Sequence, residues 1–91
     1  MQQEKRNNQS ESHLFYMDYF GSRISCNGKS YSKDDIQSID KIQTIPGHTQ
    51  KYDTYVYKVQ TTSHLEGILK IHSDAPNFKA SDAFIKRCQG K

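Results

Sequence analysis

Apolar and polar positions alternate most regularly between Tyr52 and His72, in the stretch YDTYVYKVQTTSHLEGILKIH. Tyr55, Tyr57 and Val59 share one face at a period of two, and Tyr52, Thr54, Val56 and Lys58 occupy the other. Beyond a turn around Ser63 to Gly67, Leu69 and Ile71 point one way and Ile68, Lys70 and His72 the opposite way. This pattern predicts the central hairpin of a small antiparallel sheet. The most apolar window, His13 to Phe20 (HLFYMDYF), is dense in aromatics and reads as a strand. Its alternation puts Phe15, Met17 and Tyr19 opposite Leu14, Tyr16, Asp18 and Phe20. Gly21-Ser22 ends it. Arg23 to Cys26 follows as a short strand with Ile24 and Cys26 on one face. Asn27-Gly28 is the strongest local signal, because both residues accept the positive φ that a two-residue type I′ turn demands. Lys29 to Ser32 is the returning strand, with Tyr31 facing the sheet.

Two readings stay open for Ser32 to Ile45 (SKDDIQSIDKIQTI). Ile36, Ile39, Ile42 and Ile45 recur every three residues, and Ser32 with Asp35 has capping-box spacing, which together suit a helix. The β-branched content favours strands instead, with a break near Ser38. Pro46-Gly47-His48 opens an exposed loop to Lys51. A C-terminal helix is expected from an entrance at Ser73-Asp74-Ala75-Pro76, with Ser73 or Asp74 capping it and Pro76 in its first turn. Phe78, Ala80, Phe84, Ile85 and Cys88 would form its apolar face. Lys86 and Arg87 complement the dipole in the last turn, and Gly90 stops it. The expected fold is α+β, mainly antiparallel β: a small bent sheet or partly open barrel closed by one C-terminal helix.

Composition narrows this picture. Ninety-one residues suffice for one small domain, placed at residues 13–91, and a mean hydropathy of −0.94 leaves the core to depend on six Tyr and four Phe. Residues 1–12, polar throughout, read as a disordered tail. The net charge of +3 comes from interspersed signs, which permits contact with nucleic acid or anionic lipid without arguing for either. The polar start and the lack of any apolar stretch near the roughly 20 residues of a membrane span point to a cytoplasmic protein. Cys26 and Cys88 form no CxxC or zinc-ligand pattern and read as two buried thiols, with a disulfide reserved for a secreted chain.

Ile24-Ser25-Cys26-Asn27-Gly28-Lys29, then Tyr31, then Asp35-Ile36-Gln37-Ser38-Ile39, resembles the strand-turn-strand and D-I-x-x-I stretch of bacterial pleckstrin-homology-like domains. The later strand pair and the Phe78 to Cys88 helix resemble the end of the same family, so that the likeness spans about residues 14 to 89. It implies a partly open barrel or bent sandwich closed by one helix, and a binding role, usually toward protein or lipid, with no catalytic residue.

Reactive constellations are sparse. His13, His48, His64 and His72 read as solvated imidazoles. His72-Ser73-Asp74 contains the residue types of a triad, but three chain neighbours rarely meet in its geometry. Asp34, Asp35 and Asp40 lack the alternate oxygen donors and glycine of a calcium loop. No phosphate-cradling glycine motif occurs. The expectation is a non-catalytic module without a cofactor, engaging a protein partner through a sheet edge or the C-terminal helix face. Tyr16, Tyr52, Lys58, Lys70, Lys86 and Arg87 are the candidate contact residues. The alternative is a nucleic-acid binder stacking bases on Tyr52, Tyr55 and Tyr57 beside Lys58, Lys51, Lys70 and Arg23. Nothing in the chain fixes an oligomeric state.

Overall fold

A computed structural model describes residues 13–90. The disordered tail expected over residues 1–12 lies outside them. Six strands run in chain order: β1 (His13–Met17), β2 (Ile24–Cys26), β3 (Lys29–Tyr31), β4 (Ile36–Ile45), β5 (Thr54–Thr61) and β6 (Glu66–His72). A 3-10 turn (Lys33–Asp35) precedes β4, and one helix, α1 (Phe78–Gln89), follows β6. The strands form a single open sheet in the order β3-β2-β1-β6-β5-β4. All neighbours are antiparallel except β1 and β6, which pair in parallel from His13↔Gly67 to Phe15↔Leu69. The architecture is thus the expected small, mainly antiparallel sheet with a C-terminal helix, open rather than closed into a barrel.

The β2–β3 hairpin forms as its turn chemistry predicts: Asn27 and Gly28 take φ values of 53° and 81°. The first strand ends earlier than its aromatics suggested. The Asp18 carboxylate accepts hydrogen bonds from the N–H of Ser22 (2.8 Å) and Arg23 (3.3 Å), so the chain turns at Asp18. Tyr19 and Phe20 then project into solvent, edge to face with each other at 5.4 Å.

Of the two open readings of this segment, the strand is found and the helical isoleucine stripe is not. Asp35 accepts hydrogen bonds from the Ser32 N–H (3.0 Å) and hydroxyl (3.2 Å), but this clasp closes a single 3-10 turn instead of an α-helix. The chain then runs on as one ten-residue strand, β4, with no break near Ser38. Its three-residue isoleucine spacing comes from two bulges against β5, one between Ile36 and Ser38 and one between Lys41 and Gln43. A bulge absorbs one residue, so Ile36 and Ile39 both face the core despite their odd separation. Ile42 is the extra residue of the second bulge and stands in solvent.

Helix α1 buries Ser81, Phe84, Ile85 and Cys88, the i, i+3, i+4, i+7 stripe of a helix lying on a sheet. Phe84, Ile85 and Cys88 meet Phe15, Ile24, Tyr31, Ile36, Ile39, Tyr57, Val59, Leu69 and Ile71 in one core. Each such side chain contributes roughly 1.5–3 kcal/mol by leaving water. Tyr57 and Val59 hold the inward face of β5, as alternation required, while Tyr55 is half-buried beside Phe78. The helix N-cap is Asn77, not Ser73 or Asp74, and Ala80 is exposed. Gly90 caps the other end, its N–H donating to the Lys86 carbonyl. Cys26 and Cys88 are buried with no disulfide between them, and burial pushes the Cys26 thiol pKa up. No helix among the described residues is long and apolar enough to cross a membrane.

Candidate functional site

The helix covers one face of the sheet; on the other, Leu14, Tyr16, Lys58, Lys70 and His72 are exposed, while Thr54 and Val56 are buried. Cross-strand partners share a face in a pleated sheet, so the register assigns the residues of the open side. Leu14 lies beside Ile68, Ile68 beside Lys58, Lys70 beside Val56, and His72 beside Thr54. Tyr16, two residues beyond Leu14, continues this face and is 61% exposed. Tyr52 precedes β5, but its ring packs against that of His72 with centroids 4.7 Å apart. His72 is fixed a second time by a 2.9 Å hydrogen bond between its Nδ1 and the Thr54 hydroxyl.

A cleft enters this face between β1 and β6. Their pairing stops at Phe15↔Leu69, so Tyr16 and Met17 part from Lys70 and Ile71 as β1 turns toward β2 and β6 stays with β5. The gap has a volume of about 400 Å³ and is bounded by Leu14, Tyr16, Met17, Ile68, Lys70, Ile71 and His72, with Ala75, Asn77 and Ser81 at its base. The base is rigid. Asn77 Nδ2 donates to the Asp18 carbonyl at 2.7 Å, tying the start of α1 to the end of β1. The buried Ser81 hydroxyl donates to the Asn77 carbonyl at 2.9 Å. Gly21, with φ of 68°, lies so close that a Cβ there would come within 2.7 Å of the Ala80 Cβ.

Four of the six candidate contact residues, Tyr16, Tyr52, Lys58 and Lys70, therefore meet on one face. The other two do not join them. Lys86 pairs with Asp82 at 3.0 Å on α1, and Arg87 borders a shallow hollow with Ser22, Ser32 and Phe84 in the helix layer. Tyr55 and Tyr57 also lie away from the open face. The Tyr55 ring sits 4.6 Å from Lys41 Nζ, and burial first, then Asp82 and Tyr55, raises the Tyr57 pKa. The stacking row Tyr52-Tyr55-Tyr57 is thus split between two faces. Sequence reasoning did not pick out Leu14, Ile68, His72 or the base residues Asn77 and Ser81. Alternation had already put Leu14 with Tyr16 and Ile68 with Lys70, but nothing local reveals that β1 and β6 are neighbours.

His72 bonds Thr54, while the Ser73 hydroxyl accepts the Asp53 N–H at 2.9 Å, so the triad types along the chain point elsewhere. Among the described residues no three His, Cys, Asp or Glu gather as metal ligands. Comparison with protein-family models, with curated proteins and with solved structures finds no match to this chain.

Proposed function

We propose that this protein is a non-catalytic binding module that engages a protein partner on the open sheet face around the β1/β6 cleft. The observation that carries the reading is the exposure of large apolar groups there. Leu14 and Tyr16 are 53% and 61% exposed on the face, and Tyr19 and Phe20, at 77% and 76%, follow in the turn beyond β1. Four of the six exposed large hydrophobics of the described chain therefore fall within seven residues. Aromatic anchors at the centre of a surface and charges at its rim are the usual composition of a protein interface. Lys58, Lys70 and His72 supply such a rim. The split in the sheet adds two internal strand edges, at Met17 and Ile71, of the kind that extended segments pair with. The β4 edge is less inviting: it carries two bulges, and Gln89 Nε2 donates to the Ile39 carbonyl at 3.1 Å. The resemblance to pleckstrin-homology-like binding domains supports the same role.

The test is site-specific photo-crosslinking in the native cell, with p-benzoylphenylalanine replacing Tyr16 or, as a control in the helix layer, Arg87. A discrete protein adduct formed from position 16 and not from position 87 is the expected result. Adducts from both positions alike, or none from position 16, refute the docking face. Nucleic-acid adducts at position 16, with affinity for single strands falling steeply between 50 and 200 mM salt on the order expected for phosphate contacts, would transfer the face to the nucleic-acid reading.

A further inference from the structure

We propose that the β1/β6 cleft receives a short extended peptide in which a bulky apolar side chain stands next to a carboxylate. The inference rests on the protein-binding reading above and adds the chemistry of the partner. Apolar side chains line the gap, Leu14 and Ile68 where the strands still pair and Met17 and Ile71 where they have parted. Its volume of about 400 Å³ lies at the lower end of the range for ligand pockets, so it accepts side chains, not a helix.

The charge around the cleft has one sign. No Asp or Glu lines it, whereas Lys70 and His72 do. The nearest carboxylates along the chain are Asp18, Asp74, Asp82 and Glu66, and Asp82 is paired with Lys86 at 3.0 Å. Asp18 is turned to the N–H groups of Ser22 and Arg23, and neither Asp74 nor Glu66 borders the gap. The polar groups at the base are spent internally, Asn77 on the Asp18 carbonyl and Ser81 on the Asn77 carbonyl. His72 is held by Thr54 and Tyr52. Lys70 is exposed and has no ion-pair partner among the described residues. A carboxylate is the group that satisfies it, and a desolvated apolar neighbour strengthens the pair. The parted strands, unpaired with each other beyond Phe15 and Leu69, suit an extended main chain lying along them.

The experiment uses the full chain and fluorescein-labelled hexapeptides carrying a central Phe-Glu, Phe-Gln, Ala-Glu or Phe-Lys pair, with blocked termini. Binding is read by polarisation and located by amide shift mapping. The expected result is binding of the Phe-Glu peptide with shifts at Leu14, Tyr16, Ile68 and Lys70. Phe-Gln and Ala-Glu peptides should each bind roughly tenfold more weakly, the size of one charge-assisted hydrogen bond or one buried ring. Lys70→Glu, at an exposed position where an unchanged melting temperature will show the fold intact, should transfer the preference to Phe-Lys. Equal affinity for Phe-Glu and Phe-Gln at the cleft overturns the carboxylate inference. So does the absence of cleft shifts with every peptide. Neither result touches the photo-crosslink from position 16, which judges the protein-binding reading separately.

Discussion

Replacing Gly21 with Ala tests the joint that fixes the base of the cleft. Two costs add at this position. The backbone φ of 68° is left-handed, which costs an L-residue roughly 1–2 kcal/mol. The new Cβ would also lie 2.7 Å from the Ala80 Cβ and 2.8 Å from the Ser81 N, forcing the Asp18–Arg23 turn away from α1. Overpacking of this kind costs roughly 1–3 kcal/mol. The sum is about 2–5 kcal/mol, a large share of the roughly 5–15 kcal/mol that holds a typical domain. Gly28→Ala is the matched control. Its φ of 81° carries a similar backbone penalty, but nothing lies within 4 Å of its Cβ position. The loss of unfolded-state freedom returns part of that penalty in both variants, by about 0.4–1 kcal/mol.

Urea denaturation followed by circular dichroism measures both variants. Gly21→Ala should lose about 1–3 kcal/mol more than Gly28→Ala. At about 4–8 °C per kcal/mol for a chain of this size, the gap in melting temperature should exceed roughly 4 °C. Equal losses in the two variants would refute the close packing of turn and helix, and with it the rigid base of the cleft.

Tyr57→Ala should cost about 3–5 kcal/mol and Tyr16→Ala less than about 0.5 kcal/mol, because one ring is in the core and the other in solvent; comparable losses in thermal melts would reverse the faces of the sheet. Gln89→Ala removes the hydrogen bond to the Ile39 carbonyl and should cost about 0.5–1.5 kcal/mol in the same assay. Stability should also depend on pH through two groups with opposite signs. The Tyr57 pKa is raised on folding, so its contribution is complete below the unfolded value near 10 and lost as pH rises through the folded one; Tyr57→Phe should flatten the alkaline limb. Burial pushes the Asp18 pKa up, but hydrogen bonds from Ser22 and Arg23 outweigh it and leave the value lowered. Its contribution is therefore present above the unfolded value near 3.9 and lost as pH falls through the folded one; Asp18→Asn should blunt that acid limb.

Features set by neighbours within a few residues were legible in the sequence. Asn27-Gly28 states its turn in two residues, and the alternation of Tyr57, Val59 and Thr61 states which side chains of β5 face inward, although Thr54 and Val56 are buried too. Ile36, Ile39, Ile42 and Ile45 left helix and strand both open because a bulge is a two-strand property. The period of three fits a strand only because Gln37 and Ile42 have no counterpart on β5. Ser73 and Asp74 carried a cap signal that went unused, since Ser73 instead accepts the Asp53 N–H and the helix starts at Asn77. Asp18 stopped its strand through contacts with Ser22 and Arg23 that no hydrophobic pattern records.

The candidate site was half legible for a related reason. Alternation grouped Leu14 with Tyr16 and, separately, Ile68 with Lys70 and His72, so each wall of the cleft could be written down from the chain. Joining the walls requires the parallel pairing of β1 with β6, across more than fifty residues, and that pairing leaves no local mark. It also explains why the opening lies where it does. Between His13 and Phe15 the two strands bond to each other; beyond that point β1 is drawn toward β2 and β6 toward β5. A strand pair pulled from both sides can part without breaking the core as long as something holds the far side, and here α1 does so. Phe84 and Ile85 stay packed beneath, while Asn77 and Gly21 pin the helix to the end of β1. Uncovered apolar side chains have a standing cost in water, and that cost is the ground on which a partner is proposed for this surface.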